Sequence, residues 1–135
     1  MRQTVTPYLL YEDAPAAVTF LTDAFGFREV ERMTGQAGGM HVEMDVGRDG
    51  ARIYLGSPGA QFRGPATVGR TSLVYVLVDD VNRHYERSKA VGAEIVEELT
   101  DLPYGDRRYG CRDAQGHEWT FATPSAELDA AGDAH

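Results

Sequence analysis

His41, Glu43 and Asp45 stand at alternate positions of "MHVEMDV", a run with the apolar–polar alternation of a strand. Residues two apart in a strand point to one face, about 7 Å from each other along the chain. A carboxylate beside an imidazole fixes the orientation of the ring and strengthens it as a base. His41 with Glu43 could therefore take a proton from a carbon acid, or open an epoxide, without a metal. The three together could in principle hold a metal ion, yet one strand converges poorly on a single ion and no partner His stands on a facing strand. A second stretch rich in chemical groups is "YGDRRYGCRDAQGHEWTF", which holds the only Cys and the only Trp of the chain. Cys111 has no activating neighbour in sequence except Arg107 and Arg112 and reads as an inert strand residue. His117 follows a turn glycine and shares the parity of Trp119, which makes it structural. His84, among Asn, Arg and Glu on a helical segment, reads as solvated, and His135 lies in a polar tail. A Gly-rich phosphate loop and a nucleophile elbow are both missing.

The elements that must position these groups come in two similar sets. "VTPYLLYEDAPAAVTFLTDAFGFREVERM" and "TSLVYVLVDDVNRHYERSKAVGAEIVEEL" each give a β-rich run, an acidic pair, a helix-length segment and a glycine. Gly26 and Gly92 lie 66 residues apart, and so do the turn glycines Gly50 and Gly116. Two landmarks with one spacing indicate an internal duplication. In the first helix Ala17, Phe20, Leu21, Ala24 and Phe25 share a face. Asp13 suits its N-cap, Pro15 its first turn and Gly26 its stop. Asp80 and Gly92 play the same parts in the second, with Val81, Tyr85 and Ser88 inward. Three strands follow each helix: "REVERMT", "GMHVEMDVG" and "ARIYLGS", then "AEIVEEL", "RRYGCRD" and "HEWTFAT". Each half is thus β-α-β-β-β, an α+β arrangement. The expected domain is 1–124, with modules at about 3–58 and 70–124 and a flexible acidic tail at 125–135.

Four strands with one helix on one face leave the other face free, and two such halves side by side make a shared concave cleft. Met40, Val42, Met44, Val46, Ile53, Leu55, Trp119 and Phe121 go to the helices. His41, Glu43, Asp45, Arg52, Tyr54, Glu118, Thr120 and Ala122 go to the cleft, with Thr6, Tyr8, Leu10, Leu73, Tyr75 and Leu77 from the opening strands. The 66-residue offset adds Arg107, Tyr109 and Cys111. Tyrosines for stacking and a few polar groups for orientation make a small-molecule wall.

The bulk composition agrees. The chain has 135 residues, 42% apolar and 25% charged, which fits one globular domain. One Cys excludes an internal disulfide and fits a reducing compartment. A net charge of −8 argues against nucleic acid and allows a neutral or cationic ligand. No apolar run nears the roughly 18 residues of a membrane span. The opening "MRQTVTPYLLYED" lacks a signal-peptide core, so a cytoplasmic location is expected.

With the paired modules and the motifs "YEDAPAAVTFLTDAFGFREV", "VLVDDVNRHYERSKAVGAEIV" and "YGCRDAQGHEWTFAT" in place, the sequence resembles the vicinal oxygen chelate superfamily. That superfamily includes glyoxalases, bleomycin-resistance proteins and extradiol dioxygenases, and the resemblance spans about residues 3–124. It implies modules paired into a cleft, commonly in a homodimer. Metal-dependent relatives place His, Glu or Gln ligands at points that correspond here to Thr6, Tyr54, Leu73 and Thr120. None of these is a good ligand for a divalent metal.

The leading expectation is a metal-independent small-molecule-binding protein of the bleomycin-resistance type, with no cofactor, binding an antibiotic or an aromatic or cationic metabolite. Tyr8, Tyr54, Tyr75 and Tyr109 would stack on the ligand, Arg107 and His41 would orient it, and Glu43 and Asp45 would meet a positive group. Binding alone would then give antibiotic resistance by sequestration. The alternative is a metal-free lyase, isomerase or epimerase with His41 as base and Glu43 as its partner; a metal-dependent glyoxalase or dioxygenase comes third. No membrane or nucleic-acid partner is expected.

Overall fold

The computed structural model describes residues 3–34, 39–103 and 105–128. The first module runs β1 (Tyr8–Leu10), α1 (Ala14–Phe25), β2 (Arg28–Thr34), β3 (Met40–Val46) and β4 (Ala51–Ser57). A linker with the short helix α2 (Pro65–Val68) leads to β5 (Leu73–Leu77), α3 (Val81–Val91), β6 (Glu94–Asp101), β7 (Asp106–Arg112) and β8 (Glu118–Pro124). The sheets are ordered β1-β4-β3-β2 and β5-β8-β7-β6. In each, the opening strand pairs parallel to the last, and the other pairings are antiparallel. This is the duplicated βαβββ, α+β architecture that the repeat predicts.

The helix ends follow their chemistry. The Asp13 carboxylate accepts from the Ala16 amide at 3.0 Å, and Asp80 accepts from Asn82 and Arg83 at 3.1 and 3.2 Å. Each satisfies amides that the first turn leaves unpaired. Gly26 and Gly92 end the helices at φ 74° and 109°, conformations costly for residues with a Cβ.

The modules share one core. Phe25 of α1 meets Phe121 and Trp119 of the second module with ring centroids 4.8 and 5.6 Å apart. Their packing buries large rings on both sides, so neither module keeps a dry core alone. A polar clasp reinforces the seam. Buried Asp113 accepts from the Tyr11 hydroxyl at 2.5 Å, from the Trp119 indole at 3.1 Å, and from the amides of Gln115 and His117 at 3.1 and 3.0 Å. His117 Nε2 donates to the Leu10 carbonyl at 2.7 Å, and Gln115 reads both backbone groups of Asp13. Gly116 has no alternative, because a Cβ there would sit 2.7 Å from the Ala66 nitrogen. The "RDAQGHEW" motif is therefore a joint between modules, with four donors on one buried carboxylate.

One strand departs from its expected face. Asp45 pairs with Arg52, and Arg112 pairs with Glu118. Arg52 and Glu118 are 66 residues apart, whereas Asp45 and Arg112 are 67 apart, so the second hairpin is one residue shorter. A one-residue slip turns every side chain of a strand over. Tyr109 and Cys111 consequently point to the helices and are fully buried. Arg107 reaches Asn82 of α3 and Asp101. Arg108, Gly110 and Arg112 take the cleft side instead.

His84 also differs from expectation. It packs on Phe121 at 4.1 Å between ring centroids, with Nε2 donating to the Phe25 carbonyl and Nδ1 against the Tyr109 hydroxyl. It is a bridge between modules rather than a solvated residue. Of the expected tail, Glu127 pairs with Arg48 at 2.8 Å and Leu128 packs on the core, so 125–128 joins the domain; 129–135 lies outside the described residues.

Candidate functional site

The open face of the first sheet carries a single connected network. The Tyr8 hydroxyl lies 2.7 Å from His41 Nδ1, and His41 Nε2 lies 3.1 Å from Glu43 Oε2. Arg52 donates to Glu43 Oε1 and to Asp45 Oδ1, both at 2.8 Å, and Arg28 holds Asp45 Oδ2 at 2.6 Å. Strand register explains the order: Tyr8 sits beside Tyr54, Tyr54 beside Glu43, and Arg52 beside Asp45. The His41 hydrogen bond, helped by the Arg52 guanidinium, holds the Glu43 carboxyl below the usual carboxylate range. Tyr54 packs edge-on against Tyr8 and His41, centroids 5.7 and 4.9 Å away.

Glu43 and Asp45 are thus spent. All four of their oxygens have partners within the protein, and the two guanidinium groups of Arg28 and Arg52 match the two carboxylates in charge. Arg52 is what sequence reasoning missed. Strand alternation puts it on the cleft face, and its position directly across from Asp45 and diagonal to Glu43 accounts for this neutralisation.

The second face is hollow where the first is filled. Gly110 pairs with Thr120, which pairs with Tyr75, the place that Glu43 takes opposite Tyr54 and Tyr8. A hollow of about 490 Å³ opens there, lined by Leu73, Tyr75, Val96, Arg108, Gly110 and Thr120 among others. Arg108 is held by Glu97 at 2.9 Å, and Tyr75 donates to Asp106 at 2.7 Å. Burial and the Asp106 carboxylate push the Tyr75 phenol up. At the seam of β1 and β5 lies a cleft of about 410 Å³, lined by Tyr8 and Leu10 from one module, Leu73 and Glu118 from the other, and Phe62 and Val68 of the linker.

Of the expected ligand-binding residues, Tyr8, His41, Glu43, Asp45 and Tyr54 come together on one face, and Tyr75 lies on the other. Arg107 and Tyr109 do not reach either. Burial pushes the Cys111 thiol up to about 12, as suits an inert residue.

The model of the glyoxalase/bleomycin resistance protein/dioxygenase superfamily matches residues 4–121. The chain belongs to this superfamily. TioX from Micromonospora sp. ML1 is 35% identical, with a TM-score of 0.72 over 90% of this chain and 95% of that one. FosX, a fosfomycin resistance protein from Listeria monocytogenes, is 17% identical with a TM-score of 0.70, covering 94% and 97% of the two chains, a likeness of fold alone. The uncharacterized protein Rv0887c of Mycobacterium tuberculosis is 29% identical over 132 residues, 93% of this chain and 76% of that protein.

Metal-dependent members of the superfamily would use the points now occupied by Thr6, Tyr54, Leu73 and Thr120. These do not fit a divalent metal. Leu73 has no donor atom, and the others offer only hydroxyls, with Thr120 nearly buried. Among the described residues, no three His, Cys, Asp or Glu side chains are grouped to hold an ion elsewhere. No helix among them is long and apolar enough to cross a membrane.

Proposed function

We propose that this protein binds a flat, neutral aromatic molecule in its cleft without a metal, and does so as a homodimer. The observation that carries the reading is the pairing of every carboxylate oxygen of Glu43 and Asp45 with Arg52, Arg28 or His41. A cation would have to compete with the Arg52 and Arg28 guanidinium groups or the His41 imidazole for them, so the overall acidity of the chain does not extend to this wall. What remains available is aromatic: Tyr8, Tyr54 and Tyr75 with the hollow beside Gly110. Rings offer large apolar area at little entropic cost.

Leu10, Leu73, Tyr75 and Val96 are each at least 40% exposed. A second copy facing this side would cover them and close the cleft over the ligand. Membership of a superfamily named in part for bleomycin resistance, and a fold shared with a fosfomycin resistance protein, are compatible with an antibiotic as ligand and a role in resistance. The test is a thermal-shift screen of planar aromatic compounds, neutral against cationic, on chelator-dialysed protein. Neutral compounds should raise the melting temperature, and Tyr54→Ala and Tyr75→Ala should weaken that rise. A response confined to cations, or to metal-supplemented protein, would overturn the reading.

A further inference from the structure

Tyr8, His41 and Glu43 form a directed relay. A carboxylate only accepts, so His41 Nε2 carries the proton that lies 3.1 Å from Glu43 Oε2. In the neutral ring Nδ1 then has a free lone pair, and it faces the Tyr8 hydroxyl at 2.7 Å. Both imidazole nitrogens are thus engaged inside the protein, and the chain of contacts ends at Tyr8, a residue 49% exposed. Gly56 makes room for it: a Cβ there would lie 2.8 Å from Tyr8 Cε1 and 3.0 Å from its oxygen. A hollow of about 140 Å³, lined by Leu10, Met40, Gly56, Ser57 and Pro58, lies beside the ring, and the larger seam cleft adjoins it.

We propose that Tyr8, rather than His41, is the catalytic acid–base residue of this face. Its oxygen takes a proton from the carbon of a bound planar carbon acid while its own proton passes to His41 Nδ1. Glu43 is a positioning residue that fixes the imidazole tautomer. The electron pair of the broken C–H bond stays on the substrate as an enolate, or expels a leaving group. Return of the proton to another carbon makes the reaction an isomerisation, and loss of a leaving group makes it an elimination; neither needs an oxidant or co-reactant. The relay logic is that of a hydroxyl, imidazole and carboxylate triad. It goes beyond ligand binding and stands whatever molecule the cleft prefers.

Tyr75 is the internal control. It is 44% exposed, occupies the corresponding place on the second sheet, and donates to the Asp106 carboxylate instead of an imidazole. Its phenolate would be partly buried against the Asp106 carboxylate, and burial and that like charge outweigh the help of the Arg108 guanidinium beside it. Labelling with benzenesulfonyl fluoride reads the difference without any natural ligand. The phenol oxygen bonds to sulfur, the S–F bond breaks, fluoride leaves, and the phenolic proton goes to the imidazole. Peptide mass spectrometry should find Tyr8 modified about ten-fold or more faster than Tyr75, with His41→Ala, or His41→Gln should the former fail to fold, lowering Tyr8 to the rate of Tyr75. In a second assay 5-nitrobenzisoxazole loses its carbon-bound proton to Tyr8, its N–O bond breaks, and a nitrophenolate forms. Tyr8→Phe, which keeps the ring, should slow this by about 100-fold. Equal labelling of Tyr8 and Tyr75, or labelling indifferent to His41, overturns the relay. Selective labelling with an unchanged Tyr8→Phe elimination rate overturns the role as base.

Discussion

Removing the ionisable ring of His84 should flatten the dependence of stability on pH. Burial, with Arg87 nearby, lowers the His84 pKa from 6.5 to about 4, and the hydrogen bond to the Phe25 carbonyl offsets this only in part. The sign follows from which state holds the proton. Between these values the unfolded chain is protonated at this position and the folded protein is not, so acid favours unfolding. Stability from this residue is complete above about pH 6.5 and drains away as the pH falls towards 4. The gap, at about 1.4 kcal/mol per pH unit, comes to about 3 kcal/mol. That is a large share of the roughly 5–15 kcal/mol that holds a typical domain. Urea unfolding at pH 7.5, 6.5, 5.5 and 4.5 measures it. His84→Gln can still donate to the Phe25 carbonyl, and it does not titrate. The difference between the two proteins removes the carboxylates, which are common to both. The wild type should lose stability with the slope above and the variant should lose much less over the same window. Parallel curves would refute the reasoning and put the acid sensitivity elsewhere.

Further outcomes follow from other contacts. Asp113→Ala strips four donors of one buried acceptor and should cost about 3–5 kcal/mol by denaturant unfolding, as for a broken buried polar network. Arg52→Ala frees one oxygen each of Glu43 and Asp45 and should shift the screen towards aromatic cations, with affinity for them rising about ten-fold in calorimetric titration. Cys111 should resist a thiol-specific disulfide reagent in the folded protein and react at once when urea unfolds it, because burial holds the thiol protonated.

The sequence made the duplication, the helix caps and most strand faces legible, because glycine stops, acidic caps and the two-residue period are local signals. The lost residue of the second hairpin was not. A fixed offset between halves fits β8, and only strand pairing reveals that β7 has slipped by one, taking Arg107 and Tyr109 away from the cleft and bringing Arg108 and Gly110 to it. His84 was misread for a related reason. Its own helix shows a polar neighbourhood, and the groups that bury it are distant in sequence: Phe121 and Tyr109 of its own module and Phe25 of the other. The same holds for the "RDAQGHEW" turn, whose partners Tyr11 and Leu10 lie about a hundred residues away. On the site itself, the residues on one strand were found, but their charge state was not. His41, Glu43 and Asp45 look like an acidic patch until Arg52 and Arg28 on neighbouring strands are counted.

The most direct test of the central claim is a calorimetric titration of chelator-dialysed protein with the neutral aromatic compound that gives the largest thermal shift. The account predicts saturable binding without metal, unchanged on adding nickel, zinc, manganese or iron(II), and weakened in Tyr54→Ala and Tyr75→Ala. Binding that appears only with one of those ions would contradict it.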